Sequence, residues 1–501
     1  MFLKPNEIKS AIRLPSVLAI GFTGHRNILD QARSRESIRG FLREQKRKTS
    51  AIVYGVSSAA AGGDLLFAES CLELDIPLRI LLPLPREEFR KDFDEAAWLR
   101  AEQVIGKAAS VDVTAVHEIR NEAYYECGVE TVQQSQLMIA LWDGEPSGGM
   151  GGTGEIKDFA EAMGKPVIWI HSATGAVQVL NEPALRELET LEDAELEFLN
   201  SLPDAGVTPP SDSRTELAKA WLKKTDENAS RSAPQVRRLS SIPIAYTAAA
   251  AFFSAAGLKM PHPDTWLAIG TGLGITAAAL PYVLRLDQRQ MLWARTRTAA
   301  EVCRSILALW AAPVQEDVIG AEIIPELAGT VRSLRLLKAL DATSNAVSLE
   351  EFKARYRSER VADQIDYFSR NAERSAQRGK KYRNFSLACI GLAILIAGSV
   401  FVIGKLQQPG MVTTQNWLSV AVSALFQLAT IAGALLIVHD CERRQRRYRE
   451  FQNWLEEWDA ELVNLRTWPT VLNVAVRIER ALLVELLEWK SLVRNVKLPR
   501  K

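Results

Sequence analysis

Cysteine is scarce in this chain. Its five cysteines, Cys71, Cys127, Cys303, Cys389 and Cys441, are far apart and show no C-x-x-C spacing. That excludes a recognisable zinc site and a disulfide framework, and suits a reducing compartment. No metal is expected. An excess of one charge is missing too. Lys+Arg number 61 against Asp+Glu 60, a net charge of +1. Nucleic-acid binders usually show a basic bias, so nucleic acid is not an expected partner. The opening MFLKPNEIKSAIRLPS lacks the apolar h-region of a secretory signal, and the N-terminal region is expected to stay in the cytoplasm. With 501 residues the chain exceeds one ordinary core, and two or more domains are expected.

Against this background one stretch stands out, Gly21-Phe22-Thr23-Gly24-His25-Arg26. It follows the apolar run 17–20, which reads as a short buried strand. Glycines there permit tight geometry and the close approach of a ligand. Backbone N–H groups at such a turn, and at the start of the next helix, suit phosphate oxygens. His25 and Arg26 could hold phosphate, Arg26 through its bidentate fork.

Strand-like runs alternate with helical ones through the first third of the chain. Strands are expected at 17–20, 51–56, 78–82, 137–142 and 166–171. Helices are expected at 30–48, 64–74, 89–104, 121–135 and 155–163. Short continuous apolar strands between helices indicate a doubly wound parallel sheet. Ligands of such sheets bind beyond the carboxyl ends of the strands.

Two further loops follow strands. Residues 57–64, SSAAAGGD, are small enough to leave room for a ligand. Asp64 could accept from a ribose hydroxyl or cap the next helix. Residues 143–155, DGEPSGGMGGTGE, carry six glycines, which raise the entropy cost of ordering and argue against a packing role. A donor-rich phosphate cradle opening a helix at Glu155 is the expectation. Any one of these loops could be a plain turn, and Glu155 a first-turn helix acid. Three of them in succession favour a nucleotide site.

Taken together, Gly-x-Thr-Gly-His-Arg, the Ala-Gly-Gly-Asp turn, and Leu-Trp-Asp-Gly followed by Gly-Gly-Thr-Gly-Glu resemble a SLOG domain over roughly residues 14–172. That superfamily includes cytokinin-activating phosphoribohydrolases and the ligand-sensing N-termini of TRPM channels. The resemblance implies a pocket lined by Gly21, Thr23, Gly24, His25, Arg26, Ser57, Gly62, Gly63, Asp64, Gly151, Gly152, Thr153, Gly154 and Glu155. It also places Tyr124, Glu126 and Gln136 near that pocket. The enzymes carry Pro-Gly-Gly-x-Gly-Thr-x-x-Glu, whose acid assists N-glycosidic cleavage. This chain has no leading Pro, one extra Gly and a shorter Thr-to-Glu spacing. Sensing is therefore favoured over catalysis, with Glu155 as acid/base in the alternative of a membrane-tethered nucleotide hydrolase or N-glycosidase.

Beyond the sheet, residues 181–202 read as an acidic amphipathic helix, 201–213 as a Pro-rich linker and 216–224 as a helix. Four stretches then carry no charge at all: 239–258, 265–284, 385–404 and 406–438. Each meets the ~20 apolar residues that a bilayer core requires, the fourth through 417–438. Arg231, Arg237, Arg238, Arg285 and Arg289 flank the first pair. Lys380, Lys381, Arg383 and the five arginines of 443–449 flank the second, while each hairpin loop has one basic residue, Lys259 or Lys405. The positive-inside rule makes both termini cytoplasmic. Gly270 and Gly274 permit close helix contact, and Gln427 could line a pore or bond to a neighbouring helix. Helices are expected at 286–312, 441–466 and 471–493.

These paired spans with their Arg-rich inner helices resemble SLATT membrane domains over about residues 234–490. Such domains occur beside SLOG modules in bacterial conflict systems. The fold class is therefore α/β: a Rossmann-like doubly wound parallel sheet, then an all-α membrane domain with four transmembrane helices and cytoplasmic helices. The expected division is 1–178, 179–240, 241–312, 313–384 and 385–501. The resemblance implies a multi-pass protein of the bacterial inner membrane, a homo-oligomer acting as an antiphage membrane effector. Its partners would be membrane lipid and a nucleotide-derived signal, ADP-ribose-like or cyclic, with no other cofactor.

Overall fold

The computed structural model describes residues 11–114, 119–146, 149–190, 194–208, 213–258, 262–313, 324–341, 347–406, 412–438 and 440–493. Ser147 and Gly148 of the glycine-rich loop, Lys259 and Pro261 of the first hairpin loop, and Pro409 of the second lie outside them. Two compact units emerge: Met1–Thr225 with Val302–Ala346, and Asp226–Glu301 with Val347–Lys501.

The first unit is α/β. Its elements run β1 (Val17–Gly24), α1 (Gln31–Lys48), β2 (Ile52–Ser57), α2 (Gly63–Glu73), β3 (Leu78–Leu82), α3 (Arg86–Arg90), α4 (Glu95–Lys107), β4 (Ser110–Val113), α5 (Arg120–Gln134), β5 (Leu137–Trp142), α6 (Thr153–Ala162), β6 (Val167–His171) and β7 (Val177–Leu180). The seven-stranded sheet has the order β4-β3-β2-β1-β5-β6-β7. All pairings are parallel except β6 with β7. The order reverses between β1 and β5, which makes that pair the switch point of the sheet. Continuous apolar runs explain the central strands: every residue of β3 is buried, as are the first five of β5.

β1 is four residues longer than its apolar run suggests. Gly21, Phe22, Thr23 and Gly24 stay in register with Met138, Ile139, Ala140 and Leu141 of β5. Two flanking parallel partners override the local tendency of glycine to end a strand. At Gly21 a Cβ would lie 2.3 Å from Ser135 Oγ and 2.4 Å from Met138 Sδ. Gly21 therefore answers a packing constraint inside the sheet. The expected helix over 89–104 is two helices, divided where Asp94 caps α4 by accepting from the Ala97 N–H at 2.7 Å.

Chain order continues with α7 (Glu182–Thr190), α8 (Ala194–Asn200), α9 (Arg214–Gly257), α10 (Pro263–Val283), α11 (Leu286–Ala308) and α12 (Ala328–Ala339). The start of α9 belongs to the α/β unit. Buried Lys224 donates to Ile12 O at 2.9 Å and Asn200 O at 2.8 Å. Asn200 in turn bonds both backbone groups of Leu14, at 3.0 and 2.9 Å, and accepts from the Trp221 indole at 3.1 Å. Buried polar atoms of this kind need such partners. α12 returns to the same unit after the first hairpin. Its Leu336 packs with Val17, Tyr54, Val56, Leu81 and Cys127.

The second unit is helical. It holds most of α9 to α11, then α13 (Leu349–Arg355), a π-helical turn (Tyr356–Val361), α14 (Ala362–Leu406), α15 (Val412–Val438), α16 (Cys441–Asn464) and α17 (Trp468–Val493). Four helices, within Arg214–Gly257, Pro263–Ala308, Leu349–Lys405 and Val412–Asn464, are long and apolar enough to cross a membrane. Only 11–18 % of their apolar windows is buried, so the apolar surface faces outward. α9 runs unbroken through Pro234 and Pro243. A Cβ at Gly270 would lie 2.4 Å from Ser254 Oγ and 3.0 Å from Ala250 O, so α9 and α10 touch closely there. Gln427 donates to Ala251 O at 3.0 Å, the neighbouring-helix use of that side chain. Away from the apolar windows, the π-turn's Arg360 forks onto fully buried Glu479 at 2.6–3.2 Å, and Tyr356 donates to the same carboxylate at 2.9 Å.

Candidate functional site

The loops after β1, β2 and β5 meet at the switch point. Gly62, at φ +95°, opens α2. A Cβ there would lie 2.3 Å from Arg26 O and 2.5 Å from His25 O, so only glycine lets these two loops touch. Gly63 donates its N–H to His25 O at 2.9 Å, and its Cα lies against that of Gly24. The His25 N–H donates to Leu141 O at 3.1 Å. The His25 ring then reaches the third loop, with Nε2 at 3.0 Å from Asp143 Oδ1 and 3.2 Å from the Asp143 N–H. Its protonation decides which of these two contacts is the hydrogen bond. The Glu145 N–H outweighs burial and, with a lesser contribution from His25, holds the Asp143 carboxyl below its ordinary range.

Arg26 is exposed, and its guanidinium lies 4.9 Å from the centre of the Tyr124 ring on α5. That stack leaves the edge donors of the guanidinium for an anion. The Tyr124 hydroxyl donates to Asp92 Oδ2 at 2.6 Å, and Arg120 donates to the same carboxylate at 2.8–3.2 Å. Burial works to raise the Asp92 pKa, but Arg120 and Tyr124 outweigh it and hold the carboxyl below its usual range. Burial, with Asp92 as acceptor, pushes the Tyr124 phenol up.

Asp64 lies in the first turn of α2 and is 7 % exposed. It does not cap the helix through its side chain. Its Oδ1 accepts from Ser58 Oγ at 2.8 Å and Ser57 Oγ at 3.2 Å. Burial raises its pKa to about 6, against those hydroxyls and the Arg26 charge.

The third loop is more constrained than its glycine content suggests. Gly144 and Gly151 have φ +95° and +80°. A Cβ at Gly151 would lie 2.9 Å from the Tyr125 N on α5, so this glycine does have a packing role. Gly152 is the N-cap of α6, Thr153 and Gly154 follow, and Glu155 Oε2 accepts from the Gly151 N–H at 2.7 Å. The carboxylate thus ties the residue before the N-cap to the first turn of the helix, one position outside the pattern of a capping box. Trp142, Gly144, Met150, Gly154, Glu155 and Asp158 line an open cleft of about 620 Å³. This cleft belongs to the third loop alone; the first two loops close on each other beside it.

Of the residues named from sequence, Thr23, Gly24, His25, Arg26, Ser57, Gly62, Gly63, Asp64 and Tyr124 gather at or just beneath the switch point. Gly151, Gly152, Thr153, Gly154 and Glu155 open α6, and Gly151 lies against the backbone of Tyr124 and Tyr125 on α5. Glu126 is exposed on α5. Gln136 is at the opposite end of the sheet: its side chain accepts from the Ala19 N–H at 3.1 Å and its own N–H donates to Ala19 O at 2.9 Å. Its amide thereby extends the β1–β5 ladder at the amino end of β5, which corrects its expected place by the pocket. Asp92, Arg120 and Ser58 were not singled out from the sequence; only chain folding joins 92 to 120 and 124. No protein-family model and no curated protein matches this chain.

Proposed function

We propose that this protein is a membrane effector gated by a nucleotide-derived signal. The signal binds the cytoplasmic α/β unit at the β1–β5 switch point. The four apolar helices then form a pore or disrupt the bacterial inner membrane, in antiphage defence, with several copies acting together. The observation that carries this proposal is the meeting of the three loops in the same unit that holds both ends of the first apolar hairpin. Arg26 and His25 supply the anion-binding groups, Asp64 an acceptor for a sugar hydroxyl. Arginines at the inner ends of the spans favour cytoplasmic termini. The ligand acts only by preferring the active arrangement over the resting one. The second reading, hydrolysis by Glu155, has less support, because that carboxylate already accepts from the Gly151 N–H.

Titration calorimetry with ADP-ribose, NAD and cyclic nucleotides, on wild type and Arg26→Ala, tests this. Binding by wild type that is lost in the variant is expected, together with loss of ligand-triggered dye release from phosphatidylethanolamine/phosphatidylglycerol vesicles. Equal binding by both removes the switch-point assignment. Turnover that Glu155→Gln abolishes moves the function to the enzyme.

A further inference from the structure

The first hairpin is an insertion in the α/β unit: the chain leaves the unit after Thr225 and re-enters it at Val302. Its two ends are therefore the first turns of α9 and the last turn of α11 with the residues after it. One carboxylate joins them. Asp341, just past the end of α12, has Oδ2 in contact with the Thr215 hydroxyl of α9 and accepts from the Trp310 indole N–H at 3.0 Å. The surrounding ties run the same way. Buried Lys338 of α12 donates to Leu309 O at 3.1 Å, and buried Cys303 of α11 lies 3.7 Å from Ala218 O of α9.

α12 also reaches towards the switch point. Leu336 shares a buried cluster with Cys127 of α5. Tyr124, which holds the Arg26 guanidinium, is one turn before Cys127 on that helix. An anion held on the open edge of the Arg26 guanidinium acts on Tyr124 through the stack, and a shift of α5 that follows would be felt in the cluster that holds Leu336. Packed interiors transmit such shifts because they deform little.

We propose that Asp341 is a clasp fixing the spacing between the two ends of the first hairpin, and that α12 connects this clasp to the switch-point site. The link to the site rests on the sensor proposal above; the clasp itself does not. Spatial succession alone does not demonstrate coupling, so the test measures the stem directly.

Full-length protein would carry spin labels at Lys219→Cys and Ile306→Cys. The five native cysteines are buried, so the introduced pair takes the label. Distances between labels would be read by pulsed electron resonance in phosphatidylethanolamine/phosphatidylglycerol vesicles, without ligand. Asp341→Ala should lengthen and broaden the distance. Because alanine disturbs more than the hydrogen bonds, Thr215→Val with Trp310→Phe removes these two donors and leaves Asp341 in place, the first change isosteric and the second keeping an aromatic ring at the site. That pair should reproduce the shift. Losing a hydrogen bond to a charged group shifts an equilibrium by roughly tenfold or more, so ligand-independent dye release should rise by about that factor. Unchanged distances in both variants overturn the clasp. A shifted distance with wild-type dye release leaves the clasp standing and removes the gating proposal.

Discussion

The second span of each apolar hairpin opens with Trp-Leu, at Trp266 and Trp417, yet the two hairpins are held differently. The first is inserted in the chain of the α/β unit, whose own contacts tie down the segments before and after it, through Lys224 on one side and Asp341 with Lys338 on the other. The second joins that unit through one segment and brings its own helical support, α13, the π-turn, α16 and α17. The opening tryptophans of the second spans differ likewise. Trp266 stacks on Phe253 at 5.8 Å, whereas Trp417 is 57 % exposed. Similar sequence at two places thus serves two mechanical roles. A segment tied at both ends follows its anchor, and one tied at a single end relies on local packing.

The largest expected effect lies in the support of the second hairpin. Glu479→Ala leaves Arg360 buried without its partner carboxylate, which should destabilise that helical region by about 3–5 kcal/mol. Replacing both, by Arg360→Met with Glu479→Leu, should recover most of this. Hydrogen exchange in detergent would show the loss in α13 to α17 with α1 to α6 unchanged. Equal loss in both regions would break the comparison.

Next is the anchor of the first hairpin. Burial raises the Asp64 pKa to about 6 from 3.8, so the folded state retains a proton that the unfolded chain releases. Stability contributed at this site is therefore intact below about pH 4 and falls as pH rises through about 6. At about 1.4 kcal/mol per unit the cost at neutral pH is on the order of 3 kcal/mol. Asp64→Asn should stabilise the α/β unit at pH 7.5 and scarcely change it at pH 4, as denaturant unfolding would reveal. Protection should rise in the first turns of α9 along with the sheet, and stay constant in α14.

Smaller effects probe the spans themselves. Gly270→Ala places a methyl group against Ser254 and should cost about 1–3 kcal/mol through overpacking. Gly391→Ala, in α14, meets nothing within 4 Å and should gain up to about 1 kcal/mol from helix propensity. Opposite signs in detergent unfolding are the expected outcome. Gln427→Leu removes the bond to Ala251 that joins the hairpins, at a cost of about 0.6 kcal/mol. A much larger loss would mean that the hairpins depend on each other more than on their separate supports.

How far the sequence foretells this arrangement depends on the range of the forces. β3 and β5 are continuous apolar runs, and both occur where that pattern puts them. β4 and β7 are four-residue edge strands, mixed or exposed in character, with no such run to mark them. Gly21 reads as a turn, and only the two neighbouring strands keep it in the sheet. The β1 and β2 loops were legible because their glycines serve their mutual approach. The Asp92–Tyr124–Arg120 group was not, since its members come from separate turns of chain. The return of α12 was least legible of all. Leu336 looks like any apolar helix residue, and nothing local says which surface it covers.

That return has a consequence for biogenesis. Val17, Tyr54 and Val56 are made early, yet Leu336, which packs with them, leaves the ribosome only after the whole first hairpin. That face of the nascent sheet stays partly uncovered until α12 has been made. Completion of the sheet's packing is in this way tied to synthesis of the spans that intervene in the chain.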